Sequence, residues 1–379
     1  MAVFWSILFY TSIVSFFGST VNRIGRRDPL KKEYYSDKKN ISLFCAILTF
    51  ALLIFFVGCR SLINDTYLYR DTFENYISGD LSQIIDLWNG ESKSKYFYIV
   101  QVLFKHFVSD NYTVFFFALG IFQIGAIIKL FYKYSDDYFM SSYLFITSGA
   151  FIWLMGGVRQ FLAVTIVLYG IEYLIQRRTT KFMIIVLIAA LFHVSALLWI
   201  PVYFVCTSKP WSLKIMLFIL GIASLIVFMD SFTSLLDEVL VDTNYSELTD
   251  HFQEGNGGSF LRFLVSCVPW VLAFVCRKQV EEENNLFLDI SINLSVISSS
   301  LYLVAMFTSG IIVGRLPIFF MLTNYLLLPW LLNKCFSPSI KFLLKLACII
   351  LYFVYFYYDM VIKGTGKYGS ELLDIAYVW

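Results

Sequence analysis

Three arginines, a histidine and an aspartate stand at the ends of long apolar runs: Arg60, Arg159, Arg315, His193 and Asp65. A guanidinium is a planar fork of donors that meets two phosphate oxygens at once. Near hydrocarbon an arginine costs about 2.5–3.5 kcal/mol at mid-bilayer on insertion scales, so it faces a partner or a wet cavity. Arg159 lies in Met155-Gly-Gly-Val-Arg-Gln160, where two glycines permit a sharp turn and leave room for a ligand. Arg315 follows Gly310-Ile-Ile-Val-Gly314 and precedes Leu316-Pro317, a proline suited to a first helical turn. Arg60 closes an apolar run at Gly58-Cys-Arg60 and opens a loop holding Asp65, Tyr67 and Tyr69. Gathered on one face, three arginines would bind an anion. Taken singly, each also fits an arginine snorkelling to headgroup phosphates.

His193 interrupts the run Ile184 to Pro201 within Leu191-Phe-His-Val-Ser195. Imidazole suits proton transfer near neutrality, although a lone helical histidine is more often a structural hydrogen-bonding group. Asp65 has three readings: it orients a histidine, accepts a proton from a sugar hydroxyl, or solvates its loop. Tyr67, Tyr69 and Tyr245 combine apolar faces with hydroxyl tips, which suits stacking on sugars and equally anchoring at a membrane interface. The three histidines are scattered, and neither a CxxC pair nor an HExxH motif occurs, so no metal is expected. The pattern GxxxxGK[ST] is also absent. No cofactor is implied, and any work draws on the substrate or a gradient.

These groups need membrane helices to position them. Of 379 residues, 59% are hydrophobic and only 15% charged, far below the roughly 25% charged of soluble domains. The net charge of +2 advertises no nucleic-acid partner. The composition predicts an all-α, polytopic integral membrane bundle forming a single transmembrane domain over 1–379. Twelve apolar segments are expected: Ala2 to Ser19, read as a retained helix, then 41–58, 113–131, 138–155, 160–175, a broken pair at 182–192 and 194–207, 212–229, 260–276, 286–308, 316–332 and 342–359. Tyr96 to Val108 is too short for an ordinary span and contains Lys105 and His106, so it is predicted to be interfacial or re-entrant.

Leaving that segment out of the count sets the orientation. Seven basic residues from Arg23 to Lys39 then share the cytoplasmic side with Lys129, Lys133, Arg177, Arg178, Lys181 and Lys345. Loops 60–95 and 230–259 face outward as partly helical lids, the second holding seven acidic residues from Asp230 to Glu254 and no Lys or Arg. The C-terminal tail also falls outside, despite Lys363 and Lys367. Arg60, Arg159, His193 and Arg315 would share that outer face.

The motifs resemble the EpsG-like branch of Wzy-type polysaccharide polymerases over most of the chain. The strongest block runs from Arg159-Gln160 through Ala163 and the basic turn Arg177 to Lys181, then on to Phe192-His193-Val-Ser-Ala-Leu197. Gly58-Cys-Arg60 with Asp65 and Tyr69 resembles a second block, in which Asn64 stands where glycine is expected. Arg315 with Phe319 and Phe320 resembles a late segment. The resemblance implies a glycosyltransferase of the GT-C type in the bacterial cytoplasmic membrane. Its site would face the periplasm or exterior, and it would join undecaprenyl-diphosphate-linked repeat units of O-antigen, capsule or exopolysaccharide. Donor and acceptor would both be such lipids, and a chain-length regulator and a flippase would be partners. Arg159, Arg315 and Arg60 would hold the diphosphate, His193 or Asp65 would take the acceptor proton, and Gln160, Tyr67 and Tyr69 would be secondary. Two other readings fit the same residues: a lipid-linked oligosaccharide flippase and a membrane O-acyltransferase.

Overall fold

The computed structural model describes residues 1–25, 41–92, 94–228, 258–310 and 312–376. In chain order its helices are α1 (Ala2–Gly25), α2 (Leu43–Thr49), α3 (Ala51–Cys59), α4 (Thr66–Asp71), α5 (Gln83–Asn89), α6 (Lys95–Phe107), α7 (Tyr112–Tyr134), α8 (Tyr138–Thr147), α9 (Ala150–Gly156) and α10 (Val158–Tyr169). There follow α11 (Ile171–Ile175), α12 (Thr179–Phe192), α13 (Trp199–Cys206), α14 (Leu213–Val227), α15 (Phe260–Val275), α16 (Arg277–Glu283), α17 (Leu286–Phe307), α18 (Asn324–Lys334) and α19 (Pro338–Tyr357). Among the described residues, extended pairing is limited to two isolated bridges, Leu62 with Gly369 and Ser370 with Ile375.

The protein is a polytopic membrane protein. Four helices among the described residues are long and apolar enough to cross a bilayer: Ala2–Val21, Tyr112–Tyr134, Leu286–Phe307 and Pro338–Ile362. Three bent helix pairs bring the number to seven, and five shorter apolar helices complete the set. All twelve apolar runs are therefore helical, but their lengths differ. The 14 residues of α12 reach about 21 Å at 1.5 Å per residue, short of a hydrocarbon core of about 30 Å. The run 138–155, expected as one continuous segment, breaks between α8 and α9 with a 60° bend. Gly149 at the break has φ +76°, a left-handed conformation that glycine adopts without penalty.

The chain forms two compact units: residues 1–170, 184–196 and 337–379, and residues 171–183 and 197–336. In the first, the N-terminal half of α7 packs Phe115, Phe116 and Leu119 with Phe73, Phe97, Val158 and Leu162 in one buried aromatic cluster. The far end of α7 leads to Asp137, which caps α8 through the amide of Met140 at 3.2 Å and pairs with Lys345 on α19. The chain after α19 returns to the opposite end. There the Tyr368 hydroxyl donates to the Phe56 carbonyl at 2.8 Å, and Gly369 pairs with Leu62. The tail thus shares an end of this unit with the start of loop 60–95.

In the second unit, α17 packs Leu288 and Ile292 against Ala273, Leu327 and Leu331. Asn293, buried on α17, donates to the carbonyls of Cys206 and Ser208 at 3.0 and 2.8 Å, satisfying the end of α13. Loop 60–95 contains the short helices α4 and α5. Of the outer loop 230–259, residues 230–257 lie outside the described residues.

Candidate functional site

The site is built where two loops of the first unit seat on each other. Asn64 has φ +45°, in the left-handed region that glycine and asparagine tolerate best, so asparagine can stand where glycine is expected. Its side chain fills the space above Gly156: a Cβ added there would lie 2.3 Å from Asn64 Nδ2. Beside it the Thr66 hydroxyl donates to the Met155 carbonyl at 3.1 Å. Gly156 is small because the Asn64–Thr66 turn comes this close. That contact fixes where α10 begins relative to α4.

Arg159 is the second residue of α10, whose N-cap is Gly157 with no side-chain cap. A cation there opposes the helix dipole, at a cost of about 0.3–1 kcal/mol when nothing negative is nearby. The side chain, half-buried, is held rather than dangling. Nε donates to the Tyr69 hydroxyl at 3.1 Å, and Nη1 donates to the Ser94 hydroxyl. Ser94 is the N-cap of α6, yet its side chain makes no capping bond. Two helix N-termini without side-chain caps therefore converge on one guanidinium, the arrangement that favours an anion.

Tyr69 is braced in turn. Its ring meets Phe97 edge-on at 5.4 Å, and Gln101, buried on α6, donates to its carbonyl at 3.3 Å. Lys105 on α6 donates to the carbonyls of Phe73 and Ile77 at 2.9 and 2.6 Å. It thereby satisfies the C-terminal end of the helical stretch that carries Tyr69. The predicted interfacial segment is thus an amphipathic helix that locks loop 60–77.

The remaining candidates take different positions. Asp65 is the N-cap of α4 and does not use its carboxylate to cap that helix. It lies four residues before Tyr69, on the same helical face. Tyr67 is 51% exposed, and two residues along a helix turn it away from Tyr69. Gln160 is buried beside Arg159. His193 follows α12 directly, and Phe192 packs on the aromatic cluster that underlies Tyr69. Its Nδ1 lies 3.3 Å from the amide nitrogen of Ser195, which leaves the proton of the neutral ring on Nε2.

Arg60 is fully buried. Its Nη1 donates to the Val57 carbonyl at 2.8 Å, and the guanidinium lies 4.5 Å over the Phe116 ring. Nε and Nη2 have no hydrogen-bond partner. Arg60 therefore faces the aromatic cluster from within, whereas Arg159 is half-buried at the helix ends. Arg315 belongs to the second unit, in the 3₁₀ segment Val313–Phe319, and is half-buried.

Ser94, Gln101 and Lys105 were not singled out from sequence. Ser94 precedes an apolar helix, an N-cap signal, but nothing local reveals that its hydroxyl serves Arg159. The staple of Arg70 to Glu371 was equally hidden. Among the described residues no group of three His, Cys, Asp or Glu side chains could hold a metal.

The fold and site define a polytopic helical membrane protein with an arginine held at the junction of two helix N-termini. Residues 43–371 match the EpsG family model, from α2 through the tail, and the chain belongs to the EpsG family, which is associated with exopolysaccharide biosynthesis. No curated protein and no solved structure matches the chain.

Proposed function

We propose that the protein is a polysaccharide polymerase: a GT-C-type glycosyltransferase joining undecaprenyl-diphosphate-linked repeat units at the outer face of the bacterial cytoplasmic membrane. The observation that carries this reading is Arg159, held by Tyr69 and Ser94 at two helix N-termini without side-chain caps. Charge grows on a departing diphosphate, so cations and amide dipoles fixed beside it act mainly in the transition state. Nη2 of Arg159 makes no hydrogen bond among the described residues, which leaves donors of the fork for phosphate oxygens.

In the proposed step the acceptor hydroxyl oxygen bonds to the donor's anomeric carbon. The bond from that carbon to the diphosphate oxygen breaks, and undecaprenyl diphosphate leaves with the electron pair. The hydroxyl proton passes to a base. Asp65, on the Tyr69 face of α4, fits the base better than His193, whose neutral ring presents Nε2–H as a donor. His193 suits a hydrogen bond to a phosphate oxygen. Arg60 would position the aromatic cluster beneath Arg159.

Incubating the purified protein with defined undecaprenyl-diphosphate repeat units, read by product size, tests this reading. Lengthened glycans are expected in detergent, where transport alone produces none. Unchanged glycan length with consumption of an acyl donor would instead establish the acyltransferase, and unchanged length with lipid translocation in vesicles the flippase.

A further inference from the structure

A groove of about 710 Å³ lies in the first unit, along the half of α7 remote from Arg159. Its size falls within the roughly 300–1,000 Å³ of small-ligand sites. One wall is a single stripe of α7, Ile121, Gly125 and Ile128, and the other is Leu43 and Ile47 of α2 with Ile54 of α3. Several of these side chains face outward; Ile121 is 57% and Ile47 48% exposed. Gly125 lines the groove, and a Cβ there would lie 3.0 Å from the Tyr169 hydroxyl on the neighbouring helix.

The apolar trough ends in charge. Lys129 and Lys133, four residues apart and both exposed, line its end together with Tyr132 and Tyr134. Lys129 Nζ is held 5.6 Å over the Tyr169 ring, and the Tyr169 hydroxyl is itself fixed on the Phe122 carbonyl at 3.1 Å. Two carboxylates follow just beyond, Asp136 and Asp137, and Asp137 is engaged by Lys345. From Ile121 to Lys133 the stripe runs about 18 Å at 1.5 Å per residue, enough for the length of an acyl chain within one leaflet.

We propose that this groove is a binding site for one anionic phospholipid, with its phosphate on Lys129 and Lys133 and an acyl chain along the isoleucine stripe. Basic pockets between membrane helices select anionic headgroups, whereas bulk lipid covers an apolar wall without regard to headgroup. The site lies at the opposite end of α7 from the proposed reaction, so it stands whether or not the polymerase reading does.

Native mass spectrometry of the full chain in mild detergent, with equal phosphatidylglycerol and phosphatidylcholine, tests it. One retained phosphatidylglycerol is expected. Each lysine near the bilayer surface strengthens anionic attachment about fivefold, so Lys129→Gln with Lys133→Gln should lower the preference about tenfold or more. Gly125→Leu, which keeps the charge and fills the trough, should remove the retained lipid. Equal retention of both lipids, unchanged retention in either variant, or preference for a polyisoprenyl phosphate over phosphatidylglycerol overturns the proposal.

Discussion

The Nε of Arg159 donates to the hydroxyl of Tyr69, 90 residues upstream, at 3.1 Å, and this bond ties the first turn of α10 to the helical loop opened by Asp65. A guanidinium fixed on two sides keeps its remaining donors aimed without further ordering on binding. Tyr69→Phe removes one partner of a charged group, a loss of about 1.5–3 kcal/mol in the general case. For the proposed polymerase, the rate should therefore fall about ten- to a hundredfold, with the protein still folded. Arg159→Lys should fare worse, because an ammonium cannot reproduce the fork. Product-length ladders from both variants beside the parent decide this, and full ladders from Arg159→Lys would exclude the bidentate role.

His193 and Asp65 are separated by a second pair of substitutions. If the imidazole serves as an Nε2–H donor, His193→Gln retains an N–H donor and should keep much more turnover than His193→Ala. A base would be lost equally in both. For Asp65→Asn the expectation is near-complete loss of turnover, since an amide cannot accept the proton, with lipid-linked substrate still bound. Turnover and substrate retention are to be measured on the same preparations; normal turnover in Asp65→Asn moves the base elsewhere.

Parts of this arrangement were legible in the sequence, and for identifiable reasons. Apolar runs mark helices because each backbone polar group in lipid must be bonded within its own segment, so the twelve runs emerged as helices. The break at His193 was legible because polar residues interrupt the run there. The break at Gly149 was not, since a single glycine after Ser148 resembles many tolerated ones. The two blocks carrying Arg159 and Asp65 could be recognised separately. Their contact could not, because the 2.3 Å approach of Asn64 to a Cβ at Gly156 is a tertiary fact. Arg60 at the end of an apolar run fitted both a diphosphate contact and a snorkelling arginine, and only its packing against Phe116 shows it fully buried.

That approach gives a reciprocal test. Gly156→Ala places a methyl against Asn64 Nδ2, and overpacking of this kind costs about 1–3 kcal/mol. The thermal midpoint should drop and polymer yield with it. Asn64→Gly removes the obstructing side chain and suits the left-handed backbone, so Gly156→Ala combined with Asn64→Gly should recover both readouts. Additive losses in the double variant would show that the two positions do not meet.

The tail contributes a pH-dependent contact. Glu371 accepts from Arg70, and that hydrogen bond, with the nearby positive charge, holds its carboxyl below the usual 4.5. A carboxyl lowered on folding stabilises above its unfolded value, and the contribution fades as pH falls through the folded one. Protection of amides near Gly369 should therefore be full at neutral pH and decline only below about pH 4.5. Glu371→Gln should show the lowered protection already at neutral pH. Identical exchange in parent and variant would mean that backbone pairing with Leu62 alone retains the tail.

Arg60 poses the sharpest choice between structure and chemistry. Two of its nitrogens lack partners in a fully buried position, and an unsatisfied buried donor generally costs about 1–3 kcal/mol. Methionine has comparable reach, no donor to satisfy, and a sulfur suited to the Phe116 face. Replacing a buried charge with an apolar side chain of similar volume is often neutral or stabilising. Arg60→Met should thus melt no lower than the parent. If polymerisation survives as well, Arg60 only braces the cluster below Arg159. If a stable Arg60→Met makes no polymer, the guanidinium must turn toward substrate in the proposed polymerase, and its two unpaired nitrogens would then be the donors offered to the proposed diphosphate.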